Sequence, residues 1–254
     1  MKTILTFLAA ALFATAAFAK NDGTVSLAPA VIMLRGEAGQ STQQTLYVEN
    51  GTSRPLTFAL EANDVIVRNG KRELVPAGSI ASSIAATAVF SAKSVTVKPG
   101  ERAAVNVTVT IPRDNAPRAI VALFRGTDRI MNGSVATSAS LGALLTFALS
   151  DSIAMKTEPL FVQPQTATAN LSVAQTCENS GTEPFVAKGM LAVMDASGRL
   201  AGKAALTPRR LLPGERVQLG ASYSAELQPG RYRVLVTYDY EGRALTQSAD
   251  VDVR

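Results

Sequence analysis

The sequence predicts an all-β protein made of two immunoglobulin-like β-sandwich domains in tandem. Three observations lead to this prediction: apolar and polar residues alternate over long stretches, turn dipeptides separate these stretches, and the tetrapeptide Pro-Gly-Glu-Arg occurs twice. Period-two alternation is typical of strands with one buried face, and many short strands between turns are typical of a β-sandwich. No window of about ten residues after the N-terminal segment shows a convincing helical period.

The N-terminal segment, MKTILTFLAAALFATAAFA, has the composition of a secretory signal peptide. It contains one lysine, an apolar run of about fifteen residues and the small-x-small ending Ala17-Phe18-Ala19, so we predict a signal peptide at 1–19 with cleavage before Lys20. The run is short for a membrane anchor, and no later stretch approaches the roughly 20 apolar residues of a transmembrane helix. We therefore expect an exported protein in the periplasm of a bacterial envelope, without membrane insertion after signal cleavage.

The strands of the two sandwiches follow from the alternation. Between residues 95 and 111, valines and an isoleucine fall on odd positions with threonines and an asparagine among them, and similar alternation occurs at 171–177 and 232–238. Tyr232 resembles a tyrosine corner, in which the phenol hydrogen-bonds back to the backbone. Two-residue hairpin turns of type I′ are predicted at Asn69-Gly70, Ser197-Gly198 and Glu241-Gly242.

The repeated tetrapeptide indicates where the chain divides. Pro-Gly suits the centre of a type II turn, because proline fixes the first φ and glycine accepts a positive second φ. Around the two copies the same landmarks recur in order: LYVENGTSRPLTF (46–58) parallels QTCENSGTEPFVA (175–187), and DNAPRAIVALF (114–124) parallels LQPGRYRVLVTY (227–238). We predict an N-terminal domain at 20–154 and a C-terminal domain at 155–254. The first is larger because it holds the Asn69-Gly70 hairpin.

The composition excludes several classes of function. The chain has no histidine and one cysteine, so it offers no Ser-His-Asp or Cys-His relay, no imidazole metal cage and no intrachain disulfide. The cysteine, Cys177, aligns with the apolar Val48 of the first repeat, which predicts a buried thiol. The formal charge is +5 with scattered cations and no tryptophan, so we expect no nucleic acid binding.

We therefore predict a protein that is not an enzyme and that binds no cofactor and no metal ion. An enzyme that works with paired carboxylates is the alternative that the composition leaves open. Its loose candidates, none of which lies in a recognisable motif, are Glu61, Asp64, Asp114, Asp128, Asp239 and Glu241.

The order of segments in residues 25–155 resembles that of the periplasmic pilus-assembly chaperones. The segments are SIAATAVFSAKSVTVKPGERAAVNVTVTIP, then RAIVALFRG, then SLGALLTFALSDSIAMK, in a chain with a signal peptide and two immunoglobulin-like domains. The resemblance implies a non-enzymatic, exported chaperone that binds a pilus or fimbrial subunit by β-strand addition during surface-fibre assembly. In that family the last strand of the first domain is an exposed edge, lent to a subunit that lacks one strand.

The run at 141–149 corresponds to that last strand. Its more apolar face carries Leu141, Ala143, Leu145, Phe147 and Leu149, and the resemblance implies that Leu141, Leu145, Phe147 and Leu149 bind the partner. The alternative is that these side chains fill the core of their own domain. The preceding residues, 126–140, are expected to form a long polar loop beside the binding edge.

The resemblance also implies a basic pair that binds the subunit's terminal carboxylate in the cleft between the domains. Arg35, which follows AVIML, corresponds to the arginine near the first strand. The lysine of the last strand has no counterpart within 141–149. Lys156, just beyond the run, or Arg125, on the neighbouring strand, is therefore the candidate for the second cation.

A second function stays open at this point. An immunoglobulin-like structural or adhesive envelope module would bind a protein or a glycan through its loops, such as 126–140 or 68–72. The two hypotheses differ in which substitutions remove binding, because one places the contact on the edge strand and the other places it in the loops.

Overall fold

The computed structural model describes residues 23–111, 117–128, 130–132 and 135–254, and the predicted signal peptide at 1–19 lies outside these ranges. Within them the backbone forms twenty β-strands and one 3₁₀ turn, Ala85–Thr87. The first twelve strands are β1 Val25–Ala28, β2 Val31–Arg35, β3 Ser41–Asn50, β4 Leu56–Arg68, β5 Lys71–Pro76, β6 Val89–Phe90, β7 Ser94–Val97, β8 Arg102–Thr110, β9 Ala119–Gly126, β10 Ile130–Asn132, β11 Val135–Thr137 and β12 Ser140–Ala148.

The remaining strands belong to the second half of the chain. They are β13 Met155–Thr157, β14 Phe161–Gln163, β15 Leu171–Asn179, β16 Phe185–Asp195, β17 Leu200–Leu211, β18 Arg216–Tyr223, β19 Gly230–Tyr240 and β20 Arg243–Val253. No helix among the described residues is long and apolar enough to cross a membrane.

Two sheets form the first sandwich. One has the strand order β1-β3-β8-β6, and the other has the order β2-β12-β9-β4-β5 with β7 also paired to β4. The chain changes sheet at Pro29, because β1 pairs with β3 whereas β2 pairs with β12. The strand β12 therefore lies between the antiparallel β9 and the parallel β2.

The core of the first sandwich confirms the alternation seen in the sequence. Val105, Val107 and Val109 of β8 are buried, while the residues between them face outward. They meet Phe58 and Phe124 of the opposite sheet, whose rings pack edge to face with their centroids 6.4 Å apart. Each such side chain contributes about 1.5–3 kcal/mol when fully buried, so this interdigitated layer is the main source of stability.

The second sandwich repeats this plan. One sheet centres on β15, which pairs with β13 and β14 along one edge and with β18 along the other, and the second sheet has the order β17-β16-β19-β20. Cys177 is fully buried at the position that Val48 occupies in the first sandwich, as predicted, and its burial raises the pKa of the thiol to about 11. Tyr232 forms the predicted corner, since its phenol donates to the carbonyl of Gln228 at 2.8 Å.

Two of the three predicted type I′ turns are confirmed. Asn69 and Gly70 have φ values of 52° and 75°, and Glu241 and Gly242 have values of 52° and 80°. The prediction for Ser197-Gly198 is wrong, because that loop is longer than two residues and only its glycine has a positive φ. There the Asp195 carboxylate accepts hydrogen bonds from the Ser197 amide at 2.8 Å and the Arg199 amide at 3.0 Å, which stabilises the longer loop.

Both Pro-Gly-Glu-Arg segments form the predicted turn. Gly100 and Gly214 have φ values of 70° and 74°, and the amides of Glu101 and Glu215 each donate to the carbonyl three residues earlier, at 3.0 and 2.9 Å. The predicted fold class, two immunoglobulin-like β-sandwiches in tandem, is confirmed. The domain limits at 20–154 and 155–254 stay predictions.

Candidate functional site

One side of β12 is bonded to β9 along its whole length. The Gly126 amide donates to the Ala139 carbonyl at 2.9 Å, just before β12 begins, and the Phe147 amide donates to the Arg118 carbonyl at 2.8 Å near its end. In an antiparallel pair, alternate residues direct their N–H and C=O groups to the same neighbour. The odd-numbered residues of β12 therefore bond to β9, and the even-numbered residues face the other way.

The other side of β12 is only half covered. The parallel strand β2 pairs with residues 144–148, and the Leu144 amide donates to the Ala30 carbonyl at 2.9 Å. Among the described residues, no strand pairs with this side of residues 140–143, which we call the open edge. The N–H and C=O groups of Ser140 and Gly142 face this side, because they share the orientation of Leu144. Such unpaired groups are a template for an added strand.

The apolar side chains of β12 divide between the core and its margin. Leu145 and Phe147, together with Ala143, are fully buried in the core of their own sandwich, as the alternative interpretation of the sequence stated. Leu141 and Leu149 are partly buried and pack against that core. The face predicted for a partner is thus largely occupied, since period-two alternation shows which residues share a face but not what covers it. Leu141 is the large apolar residue that lies on the open edge.

The expected loop at 126–140 contains a β-hairpin instead. Residues Ile130–Asn132 pair with Val135–Thr137 in an antiparallel register. The sequence does contain a hairpin signal between these segments, the dipeptide Gly-Ser at 133–134, which the sequence analysis missed. The hairpin stands between β9 and β12, directly before the open edge.

Of the three cations predicted to bind a terminal carboxylate, two already form ion pairs with carboxylates of this protein, and the third lies in the second sandwich. Arg35 ends β2 and forms ion pairs with Glu241 at 2.9 Å and Asp151 at 3.6 Å. Arg125, on β9, forms an ion pair with Glu61 of β4, and this hydrogen bond and charge raise the pKa of the guanidinium. Lys156 is exposed on β13 of the second sandwich.

The structure does not bring Arg35 and Arg125 together. Arg125 lies opposite Ser140 at the start of β12, and Arg35 lies opposite Ala148 at its end. Eight residues of extended strand span about 26 Å, which is too far for one carboxylate to contact both guanidinium groups. The substitution of Arg125 for the missing lysine is therefore excluded by the geometry.

Three other arginines, which the sequence analysis missed, lie where the two sandwiches meet; we call this region the joint. One is Arg118, whose Nε lies 3.4 Å from the Glu183 carboxylate, with side chains only 10% and 3% exposed. Glu183 also accepts hydrogen bonds from the Leu149 amide at 3.0 Å and the Ser150 hydroxyl at 3.2 Å. These groups line a cleft of about 830 Å³ between the sandwiches.

The hairpin β4–β5 reaches across the joint from the first sandwich. The Nε atom of Arg72 lies 2.8 Å from the Glu215 carboxylate, in the second Pro-Gly-Glu-Arg turn. At the hairpin tip the Gly70 carbonyl accepts a hydrogen bond from the Arg216 amide at 2.9 Å. The extra residues of the first domain therefore contribute contacts to the second domain.

The third arginine connects the second sandwich to β12. Arg210, in β17, donates from Nη1 to the Ile32 carbonyl at 3.1 Å and to the Thr146 hydroxyl. Burial lowers the pKa of this guanidinium, and the nearby Arg72 does the same. Arg210 lies shortly before the second Pro-Gly-Glu-Arg segment. The sequence alone does not distinguish it from Arg209, the exposed arginine beside it, because the cations are scattered along the chain.

The sequence matches no protein-family profile and no curated protein. The fold is similar to solved chaperones of fimbrial systems. For the Escherichia coli chaperone DraB the identity is 14%, the match covers 90% of this chain and 98% of the other, and the TM-score is 0.42. For the chaperone–tip adhesion subunit pre-assembly complex CsuC–CsuE of Acinetobacter baumannii the identity is 10%, the match covers 89% of this chain and 97% of the other, and the TM-score is 0.44. For the Salmonella enterica SafB chaperone in complex with SafA pilin the identity is 13%, the match covers 90% of this chain and 96% of the other, and the TM-score is 0.40.

Proposed function

We propose that this protein is an exported, non-enzymatic chaperone that captures a pilus-type subunit by β-strand addition at the open edge. The observation that carries the proposal is the half-covered strand β12, in which the backbone groups of Ser140 and Gly142 face a side where none of the described residues forms a partner strand. A strand of the subunit that aligns with this side gains main-chain hydrogen bonds without any rearrangement of β12. The predicted signal peptide supports placing this capture in the periplasm.

The composition of the open edge supports a binding role. Proteins usually protect unpaired strand edges with charged residues, proline or a covering segment. The open edge reads Ser-Leu-Gly-Ala and carries neither a charge nor a proline. Its side chains are small except for Leu141, so we infer that main-chain hydrogen bonds supply most of the contact and that Leu141 supplies the apolar part.

The other predicted partner-binding residues take more limited roles in this proposal. Arg125 lies on β9, on the side of β12 away from the open edge, and it pairs with Glu61 of β4, so this proposal gives it no direct contact with a captured strand. Arg35 and Lys156 stay proposals for binding a terminal carboxylate. A carboxylate at Arg35 has to compete with Glu241 and Asp151, which already neutralise that guanidinium.

The test compares Ser140→Pro with Ser140→Ala. Proline at the first residue of β12 removes the outward N–H group, and proline is tolerated at the start of a strand. Alanine removes only the exposed hydroxyl. We expect the tagged wild-type protein and Ser140→Ala, purified from their exported compartment, to hold a small β-rich subunit at near one-to-one stoichiometry. Ser140→Pro should hold about tenfold less, the factor that loss of one or two such bonds produces.

Mass spectrometry of the bound material measures both the identity and the amount of the partner. Equal amounts of subunit on Ser140→Pro and Ser140→Ala would show that capture does not use this edge. A wild-type protein that emerges bare, or bound to other envelope material, would contradict the chaperone function and favour a structural or adhesive module.

A further inference from the structure

We propose that Arg210 of the second sandwich is a positioning residue that fixes where β2 stops covering β12 and thereby sets the length of the open edge. Its consequence for capture rests on the proposed function, but its effect on β2 does not. The point where β2 begins to pair, at Leu144, is the boundary between the covered and the open part of β12. A residue that holds β2 in place therefore holds this boundary in place.

The contacts of Arg210 lie on both strands of the β2–β12 ladder. One acceptor is the Ile32 carbonyl of β2, and the other is the Thr146 hydroxyl of β12. Thr146 is fully buried and donates its own hydroxyl proton to the Ile32 carbonyl at 2.9 Å. The guanidinium, the hydroxyl and the carbonyl thus form one cluster that ties the two strands together. Hydrogen bonds from a charged donor are the stronger kind, which suits this role.

The strand β2 depends on such a tie because its own pairing is slight. It is five residues long, and within the part of the chain that the structure describes it pairs on one side only. The pairing is parallel, which is slightly less stable per residue than an antiparallel ladder. Val31, at its start, is 49% exposed. A strand of this kind frays readily, and fraying of β2 would extend the open edge toward Ala148.

Arg210 is itself held from the first sandwich. Arg72, in β5, donates from Nη2 to the Arg210 carbonyl at 2.5 Å and forms its ion pair with Glu215. The contacts therefore run from the second Pro-Gly-Glu-Arg turn through Arg72 and Arg210 to β2. A change in the way the sandwiches meet acts on the boundary of the open edge through these residues.

Hydrogen exchange of two backbone amides in β12 tests this role. The Leu144 amide is bonded to the Ala30 carbonyl and reports on the β2 side, whereas the Phe147 amide is bonded to the Arg118 carbonyl and reports on the β9 side. The variants are Arg210→Ala, Arg210→Lys and Thr146→Val, in the full mature chain. The matched control is Arg209→Ala, which removes an exposed arginine from the neighbouring position.

We expect Arg210→Ala to accelerate exchange of the Leu144 amide about tenfold or more, as loss of a hydrogen bond from a charged group predicts, with the Phe147 amide unchanged. Thr146→Val should act in the same direction but less strongly, and Arg210→Lys should restore part of the protection. Arg209→Ala should behave as the wild-type protein does.

Unchanged exchange of Leu144 in Arg210→Ala would overturn the proposal, whatever Thr146→Val does. Equal acceleration of Leu144 and Phe147 would overturn it as well, because it would show a general loss of stability rather than release of β2. These measurements use the free protein and need no partner. A failure here is therefore distinguishable from a failure of strand capture, which the Ser140→Pro comparison detects independently.

Discussion

In the first sandwich the glutamate of the Pro-Gly-Glu-Arg turn is exposed, whereas in the second the glutamate of the same tetrapeptide is buried against the first sandwich. The shared part of the two turns is an asparagine that ends a strand. Asn50 donates its side-chain amide to the carbonyls of Arg54 and Val97, each at 2.8 Å. The backbone carbonyl of Asn50 accepts a hydrogen bond at 2.7 Å from the amide of Gly100, the second residue of the tetrapeptide.

Asn179 makes the matching set of bonds in the second sandwich. Its side-chain amide donates to the carbonyls of Glu183 at 2.9 Å and Leu211 at 3.2 Å. Its carbonyl accepts the Gly214 amide at 2.8 Å. The sequence repeat of Glu-Asn followed by Pro-Gly-Glu-Arg is thus a repeat of one hydrogen-bonded unit, in which the asparagine joins two loops to the turn.

The two units differ in the exposure of the glutamate and in its ion-pair partner. Glu101 has a side chain that is 55% exposed, and its ion pair with Lys98 is 3.8 Å long. Glu215 is 4% exposed, accepts the Leu212 amide at 2.8 Å and pairs with Arg72 across the joint. Local sequence thus builds the turn, and the long hairpin of the first sandwich makes the second copy a contact between domains.

Alanine at either asparagine should have the largest effect of the changes considered. Both side chains are fully buried, and Asn50→Ala or Asn179→Ala leaves two carbonyls and an amide without their partners, which we expect to lower the local free energy of unfolding by about 3 kcal/mol. Hydrogen exchange of the slowest amides in each sandwich measures this. If the two values differed by more than about 1 kcal/mol, the two units would not be equivalent.

The buried thiol gives the next largest effect, through pH. Cys177 has a pKa raised to about 11, so the unfolded chain ionises first and the free energy of unfolding falls as the pH rises from about 9 to about 11, by about 2–3 kcal/mol. Below about pH 8 the thiol has no effect. Cys177→Val copies the residue at the matching position of the first sandwich and should remove this part of the pH dependence.

Urea unfolding of the wild-type protein and of Cys177→Val at pH 7.5 and pH 10.5 measures the difference. The wild-type protein should lose more stability between the two pH values than the variant does. Parallel behaviour of the two proteins would show that the thiol ionises at its ordinary pKa in the folded state.

The glutamates come third and test the difference between the turns directly. Glu215→Gln weakens a nearly buried ion pair and should lower the free energy of unfolding by about 1–2 kcal/mol. Glu101→Gln removes an exposed charge and should stay within about 0.5 kcal/mol of the wild-type protein. Urea unfolding at pH 7.5 measures both effects. Equal effects at the two positions would contradict the claim that the glutamate of the second turn stabilises the joint.

The features that the sequence predicts correctly are local ones. Alternation identifies the buried valines of β8, and dipeptides identify the turns at Asn69-Gly70 and Glu241-Gly242, because neighbouring residues alone decide these structures. The burial of Cys177 follows from the internal repeat, which supplies a second copy for comparison.

The features that it misses depend on contacts far apart in the chain. Arg72 and Arg210 are 138 residues apart, and no local pattern separates them from the exposed arginines. The cover that β2 provides over half of β12 joins strands more than 100 residues apart, since the Thr146 hydroxyl and the Ile32 carbonyl are separated by 114 positions. For the same reason the alternation in β12 does not decide whether Leu145 faces the core of its own sandwich or a partner.

The arginine that ends each tetrapeptide gives the smallest expected effect. Arg102 lies over the ring of Tyr47, with its guanidinium carbon 3.9 Å from the ring centroid, whereas Arg216 forms ion pairs with Glu158 and Glu178. Arg102→Gln and Arg216→Gln should each lower the free energy of unfolding by about 0.5–1 kcal/mol in dilute buffer.

In 1 M salt the effect at Arg216 should nearly vanish, because salt screens half-exposed ion pairs. The effect at Arg102 should fall less, because part of its contact with the ring is van der Waals packing, which salt does not screen. An identical salt dependence at both positions would show that the surroundings of the two arginines do not differ in the way that those of the two glutamates do.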